Sequence, residues 1–354
     1  MKRIANLLLP LLLLLSAAAC GQTGTQSPDV SAAGSRPAQS GSAEEQSVPD
    51  RYPMTLTDQA GRTVTLQKEP ERIVSGYYVS TSMLIALGQK DKLVGIEAKA
   101  DTRDIYRLSA PELISLPSVG SAKELDLEGC AALEPDLVIL PLKLKSAAGA
   151  LEELGIPVLL VDPEDEARLE ETIGLLFRAV QGRERGQALL SFIGNQRNRL
   201  LEQLGGAPQP RVYLGGNSSF LSTAGGQMYQ TSMIRNAWGE NVAQEIEDAY
   251  WVEVDYEQIL AWDPEYIILA SGASYTCEDV LSNPSLADCT AVRSGNVYQM
   301  PSKAEAWDSP VPSGILGSVW LAGVLHPDLF SQAECDQIIE EYYETFYGFS
   351  YSQA

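Results

Sequence analysis

Histidine is nearly missing from this chain. It occurs once in 354 residues, as His326, which leaves a histidine-based metal cluster or a mobile proton relay little to work with; in the setting LHPDL it is expected to close a helix. Basic residues are scarce too: Lys and Arg number 25 against 47 Asp and Glu, a formal net charge of −22. Nucleic acid and anionic lipid surfaces both want basic patches, so both drop out as partners, and the charge reads as solubility. The five cysteines, Cys20, Cys130, Cys277, Cys289 and Cys335, include no CxxC pair, which leaves zinc-ribbon and thioredoxin-like chemistry without its spacing. There is no GxSxG, GxxxxGKS, GxxxxGKT or HExxH stretch, and no GxGxxG follows a strand. The nucleophile elbow, the phosphate loop, the zinc protease and the dinucleotide fold thus lack their signatures. No cofactor, no metal and no enzymatic activity are expected.

The chain opens with Lys2 and Arg3, an apolar stretch from Leu7 to Leu15, and Ala17-Ala18-Ala19 leading to Cys20. The apolar run is shorter than the ~20 residues a spanning helix needs, and the small residues make it a cleavable secretory signal. A cysteine at the first mature position resembles the bacterial lipobox. Residues 1–20 are therefore expected to be a lipoprotein signal peptide with Cys20 lipidated, so that the protein touches the membrane through its lipid anchor only. Residues 21–50 hold no aromatic and almost no aliphatic side chain and cannot offset their own ordering entropy. They read as a flexible tether with a reach of roughly 30 Å. Loss of Lys2 and Arg3 leaves 23 basic against 47 acidic residues, a mature charge of −24.

Beyond the tether, MTLTDQAGRTVTL (54–66) reads as a β-hairpin. Short apolar strands at 72, 93, 137 and 158 then alternate with helical segments at 80–88 and 144–155, the pattern of a parallel sheet covered on both faces. Residues 166–204 break the alternation with two helical stretches and no strand between them. In the second, Ala188, Leu189, Phe192, Ile193, Leu200, Leu201 and Leu204 form a near-helical stripe, ended by Gly205-Gly206. The alternation resumes with strands at 211–215, 266–270 and 296–300 and closing helices at 313–325 and 333–347. The expected organisation is an N-terminal α/β lobe over 51–182, a linking helix over 183–204 and a C-terminal α/β lobe over 205–354.

One phrase occurs twice. DLEGCAALEPDLVIL (126–140) and DYEQILAWDPEYIIL (255–269) align without a gap, with Asp, Glu, Pro and a closing apolar run at equal offsets. Each copy parses as an Asp N-cap, a Glu at the second helical residue, one or two turns of helix, a stopping Pro and a buried strand. An acidic first turn complements the helix dipole, which accounts for either glutamate singly. As a pair, one per lobe, Glu128 and Glu257 suit a two-fold symmetric partner.

These stretches, with LTDQAGRTVTLQKEPERIVS, LGIPVLLV and SGILGSVWLAGVLHPDLF in this order and spacing, resemble the substrate-binding lipoproteins of ABC transporters of the iron-siderophore, haem and vitamin B12 class over nearly all of residues 53–348. The resemblance implies an α/β fold of two Rossmann-like lobes joined by a long rigid helix, with the ligand in the cleft between them. It implies a monomer on the outer face of the bacterial cytoplasmic membrane that delivers an iron chelate, haem or a corrinoid to an ABC permease dimer with its ATPase. It places Glu128 and Glu257 where the vitamin B12-binding member sets the glutamates that meet permease arginines. Ligand contacts are implied for Tyr77 and Tyr78, for Trp251 six residues before Glu257, for Trp307, and for Lys143 at the cleft. Aromatics suit such a site because they offer large apolar area with few rotors to freeze.

One position departs from the family: six residues before Glu128, where relatives carry an aromatic or arginine, stands Ala122. With Lys123, Lys143 and Lys145 of one sign and Glu305 and Asp308 of the other, cleft polarity and ligand identity stay open. A bridge between Cys277 and Cys289 is also left open. Tyr229 is expected to pack within its helix. A ligand sensor serving a signalling receptor needs the same cleft and docking face, so the sequence does not separate it from a transporter component.

Overall fold

Short apolar runs with nothing polar to offer water become the strands. In the computed structural model, which describes residues 52–247 and 251–354, Ile73–Ser75, Leu93–Ile96, Leu137–Pro141 and Val158–Val161 form a four-stranded parallel sheet. The Ile73–Ser75 and Leu137–Pro141 strands lie at its centre, and nearly every strand residue is buried. The expected signal peptide, Cys20 and the tether lie outside the described residues.

The hairpin Met54–Thr57 and Thr63–Leu66 protects the open edge of this sheet. Its turn brings buried Asp58 to the Leu160 N–H at 3.1 Å, and Arg62 donates to the Val158 carbonyl at 2.9 Å while pairing with Asp58 at 2.7 Å. A strand edge covered in this way offers no free ladder for another chain to join.

The second sheet departs from the expected parallel pattern. Arg211–Gly215, Tyr266–Leu269 and Val297–Gln299 are parallel, and Glu240–Asn241 pairs in parallel with the start of the first. Ser222–Ala224, however, returns antiparallel to Arg211–Gly215, and Trp251–Glu253 runs antiparallel to Ser222–Ala224. The return from Gly215 is too short for a crossover helix, so only antiparallel pairing is open to it. Gly216 N donates to Ser222 O at 2.7 Å to close the turn.

Between the sheets the chain runs through helices Glu166–Ala179 and Arg183–Leu204. The linking helix buries Leu189, Phe192, Ile193, Leu200 and Leu204; Ala188 and Leu201, expected on the same stripe, fall at its flanks and are exposed. One apolar cluster extends from Ile73 and Ile139 of the first sheet through Phe192 to Leu214, Leu316 and Tyr347, while the outer face of each sheet has its own cluster. The fold is thus two α/β lobes with a shared central layer.

The C-terminal helix Gln332–Tyr347 belongs to both lobes. Cys335 donates to Val319 O, whereas Tyr347 Oη meets Ser82 Oγ of the first N-lobe helix at 2.8 Å. Arg185 of the linking helix locks this junction, donating to Ala86 O at 2.8 Å and to Phe346 O at 2.9 Å. The four described cysteines are free thiols, so Cys277 and Cys289 are not bridged. His326 ends the helix Ile315–Leu325 and meets Trp238 O at 3.2 Å. No helix among the described residues is long and apolar enough to cross a membrane.

Gly186 lets the linking helix approach its neighbour, because a Cβ there would overlap the Phe177 ring. Gly186→Ala is expected to cost about 1–3 kcal/mol by overpacking, measured as a lower urea midpoint at unchanged slope. An unchanged midpoint would show that the helix pair has slack.

Candidate ligand cleft and docking face

In an open parallel sheet, ligands gather outside the carboxyl ends of the strands, and here those ends form two facing rims. From the N-terminal lobe, Ser75 leads to Tyr77 and Tyr78, Ile96 to Glu97 and Arg103, Pro141 to Leu142 and Lys143, and Val161 to Asp162 and Glu164. From the C-terminal lobe, Gly215 leads to Asn217, Leu269 to Ser271 and Gly272, and Gln299 to Ser302 and Asp308. Three recesses lie between the rims, each lined from both lobes. One of about 240 Å³ holds Tyr78 and Arg103 against Ser271 and Glu305. One of about 490 Å³ holds Leu142, Lys143 and Glu164 against Met228 and Trp251. The third, about 230 Å³, joins Glu164 to Asn217, Trp251 and Asp308.

Tyr77 is the extended residue before the helix Tyr78–Ala86 and sets its ring edge-to-face on Tyr78 at 5.6 Å. Burial pushes the Tyr78 phenol up to about 12 and the Tyr77 phenol higher still, so both stay neutral hydrogen-bonding groups. Trp251, 40 % exposed, lines two recesses, neither of which includes Tyr78. Lys143 faces Trp251, mostly solvated and 3.6 Å from Glu164. Lys123 and Lys145 are exposed and line none of the three recesses.

Trp307 is the correction. It lies only 2 % exposed, donates its indole N–H to Tyr343 Oη at 2.8 Å and packs on Tyr351 at 5.6 Å. The C-terminal helix and tail cover the face that a ligand would need. Tyr229 is buried as expected, and its hydroxyl fills the space beside Gly314. Sequence reasoning missed Arg103, Met228 and Ser271, none of which belongs to a recognisable pattern; only their place at strand ends marks them.

Three carboxyl groups are buried at or behind the cleft. Glu97 accepts from Thr81 Oγ1 and Tyr106 Oη, both at 2.7 Å. Glu305 accepts from Ser82 Oγ and Ser313 Oγ, both at 2.6 Å, and so joins the C-lobe loop to the N lobe. Asp308 accepts from the Ser271 N–H at 2.8 Å and hydroxyl at 2.6 Å. Desolvation raises all three above the ordinary carboxylate range despite these donors. A carboxyl with a raised folded value holds its proton where the unfolded chain has lost it. Its contribution to stability is complete below the unfolded value and is lost as pH climbs through the folded one. Glu305→Gln, which does not ionise, is therefore expected to lose less stability than wild type as pH rises above the ordinary carboxylate range in urea unfolding. Equal losses in both proteins would show that Glu305 does not titrate there.

The doubled phrase folds twice in the same way. Asp126 caps the helix Leu127–Ala132 through Gly129 N at 2.9 Å, and Asp255 caps Tyr256–Trp262 through Gln258 N at 2.7 Å. Each helix is followed by a left-handed residue before proline, Glu134 at φ 48° and Asp263 at φ 42°, and then by a strand bordered on both sides within its sheet. Glu128 and Glu257 are exposed in these matching settings.

Comparison with known proteins agrees with this architecture. The periplasmic binding protein family matches residues 73–304. The molybdate-binding protein MolA of Haemophilus influenzae is 26 % identical, covering 84 % of this chain and 91 % of that protein. A cobalamin-binding protein of Halobacterium salinarum is 24 % identical over 70 % of this chain and 66 % of its own length. Among solved structures, a periplasmic solute-binding protein from Veillonella parvula superposes with a TM-score of 0.73 at 27 % identity, over 84 % of this chain and 93 % of that one.

Proposed function

This chain belongs to the periplasmic binding protein family, and from that premise we propose that it is a lipid-anchored receptor that captures a metal chelate and hands it to an ABC importer. It is a solute-binding component of transport and not itself an enzyme. The observation that supports the finer reading is that Tyr78 and Trp251 line separate recesses, each built from both lobes. Aromatic side chains in more than one recess suit a bulky ligand with apolar faces, such as a ferric siderophore, haem or a corrinoid, and an iron chelate is the leading choice. A small oxyanion is the second reading, favoured by the modest volume of the recess at Arg103 and by the molybdate-binding relative.

In this reading residues 1–20 direct export, lipidated Cys20 and the 21–50 tether keep the monomer close to the outer face of the membrane, and Glu128 and Glu257 dock on the two permease subunits. Tyr77 and Lys143 complete the ligand contacts around Tyr78 and Trp251. An exposed ion pair contributes only ~0–1 kcal/mol, but charge pairs desolvated in an interface couple by roughly 1.5–7 kcal/mol. Docking therefore depends on both glutamates.

Native mass spectrometry of the soluble body from about Arg51 onward, against haem, ferric siderophores, corrinoids and molybdate, identifies the ligand class. Saturable binding of a ferric chelate is expected, and exclusive binding of molybdate would favour the second reading. The double variant Glu128→Ala, Glu257→Ala is expected to bind ligand as wild type does while uptake collapses. Wild-type uptake at matched expression would remove the docking assignment.

A further inference from the structure

One cation at the cleft forms no salt bridge among the described residues. Arg103 precedes the helix Asp104–Ser109 with extended backbone, φ −97° and ψ 108°, and its guanidinium lies over the Tyr78 ring at 4.3 Å. Its Nε is buried without a hydrogen-bond acceptor. Arg107, four residues on, is paired with Asp104; among the described residues no such pair forms at Arg103.

The nearby acids are engaged elsewhere. Glu97 takes donors from Thr81 and Tyr106, Glu305 from Ser82 and Ser313, and Asp308 from Ser271. Burial raises the Glu97 and Glu305 carboxyls more than the charge of Arg103 lowers them, and neither forms a salt bridge with the guanidinium. A ring face offsets part of the cost of desolvating a cation, yet it cannot accept the directed N–H bonds of a planar fork built for paired oxygens. The recess beside it, about 240 Å³, is closed from the other lobe by Ser271, Gly272 and Ser302. That space takes a tetrahedral oxyanion whole, or the charged rim of a larger chelate whose body continues toward Trp251.

We infer that Arg103 is the charge-selecting residue of the cleft, receiving an anionic oxygen group of the ligand (a carboxylate, catecholate or oxometallate) between Tyr78 and the Ser271–Gly272 loop. Neutral solutes of similar size are thereby disfavoured. The inference rests on the cleft being the ligand site, as proposed above, but not on iron being the cargo.

The test is isothermal titration of the soluble body and of Arg103→Gln and Arg103→Lys with three probes: sodium molybdate, a ferric tris-catecholate complex, and uncharged cyanocobalamin. Wild type is expected to bind at least one of the two anions, with affinity falling as sodium chloride rises. Arg103→Gln is expected to weaken that binding about tenfold or more, in line with loss of a charge-assisted bidentate contact, and to flatten its salt dependence. Arg103→Lys should keep the salt dependence and recover part of the affinity, which a merely structural role would not produce. Molybdate binding that depends on Arg103, without binding of the ferric complex, supports the inference while removing the iron-chelate reading. Anion binding unchanged in Arg103→Gln overturns the inference, as does failure of both anions to bind; cyanocobalamin binding without either anion overturns it and leaves the importer reading standing.

Discussion

The two sheets share one apolar layer, and the cleft depends on that sharing. Phe192 and Ile193 of the linking helix, Tyr342 and Phe346 of the C-terminal helix, and Leu316 between them belong to one continuous cluster with strand residues of both lobes. Fully burying such a side chain contributes roughly 1.5–3 kcal/mol, so swinging the lobes apart would expose several of them at once. The Ser82–Glu305 and Ser82–Tyr347 bonds cross the same junction. Large hinge opening is therefore disfavoured.

That rigidity gives the cleft loops their precision. The loop from Ser302 to Asp308 is irregular backbone, yet it is held along its length: Glu305 by Ser82 and Ser313, Trp307 by Tyr343, Asp308 by Ser271, and Lys303 by the Tyr351 carbonyl at 2.9 Å. Tyr351 in turn stacks on Tyr343 at 5.0 Å with the planes 13° apart. The end of the chain thus supports one wall of the site from behind, far from where sequence order would place it.

What could be read from residues alone follows the range of the interactions involved. The hairpin around DQAG, the strands of the first sheet and the linking helix up to Gly205 are local patterns, and the structure reproduces them within a residue or two. The doubled phrase was legible because capping and proline punctuation are local as well. The antiparallel strands at Ser222 and Trp251 were not, since both are only three residues long: the first is placed by a tight return after Gly215, the second by pairing with the first across a long stretch of chain. Trp307 in AEAWDSP has the look of an open loop; its burial is decided by Tyr343 and Tyr351, 36 and 44 positions later. Arg103 was invisible for a different reason: what distinguishes it is that the acids near it in three dimensions take their hydrogen bonds from other residues.

The burial of Trp307 has a practical side. With Trp238, Trp262 and Trp320 more covered, Trp251 is the most exposed of the five indoles, and it lines the cleft. Under the ligand site proposed above, its emission, selected by excitation at the red edge, would gauge cleft occupancy: a ligand that displaces water beside it would shift the band to shorter wavelength, and an iron-bearing one would darken it. The protein can thus report its own loading without a label.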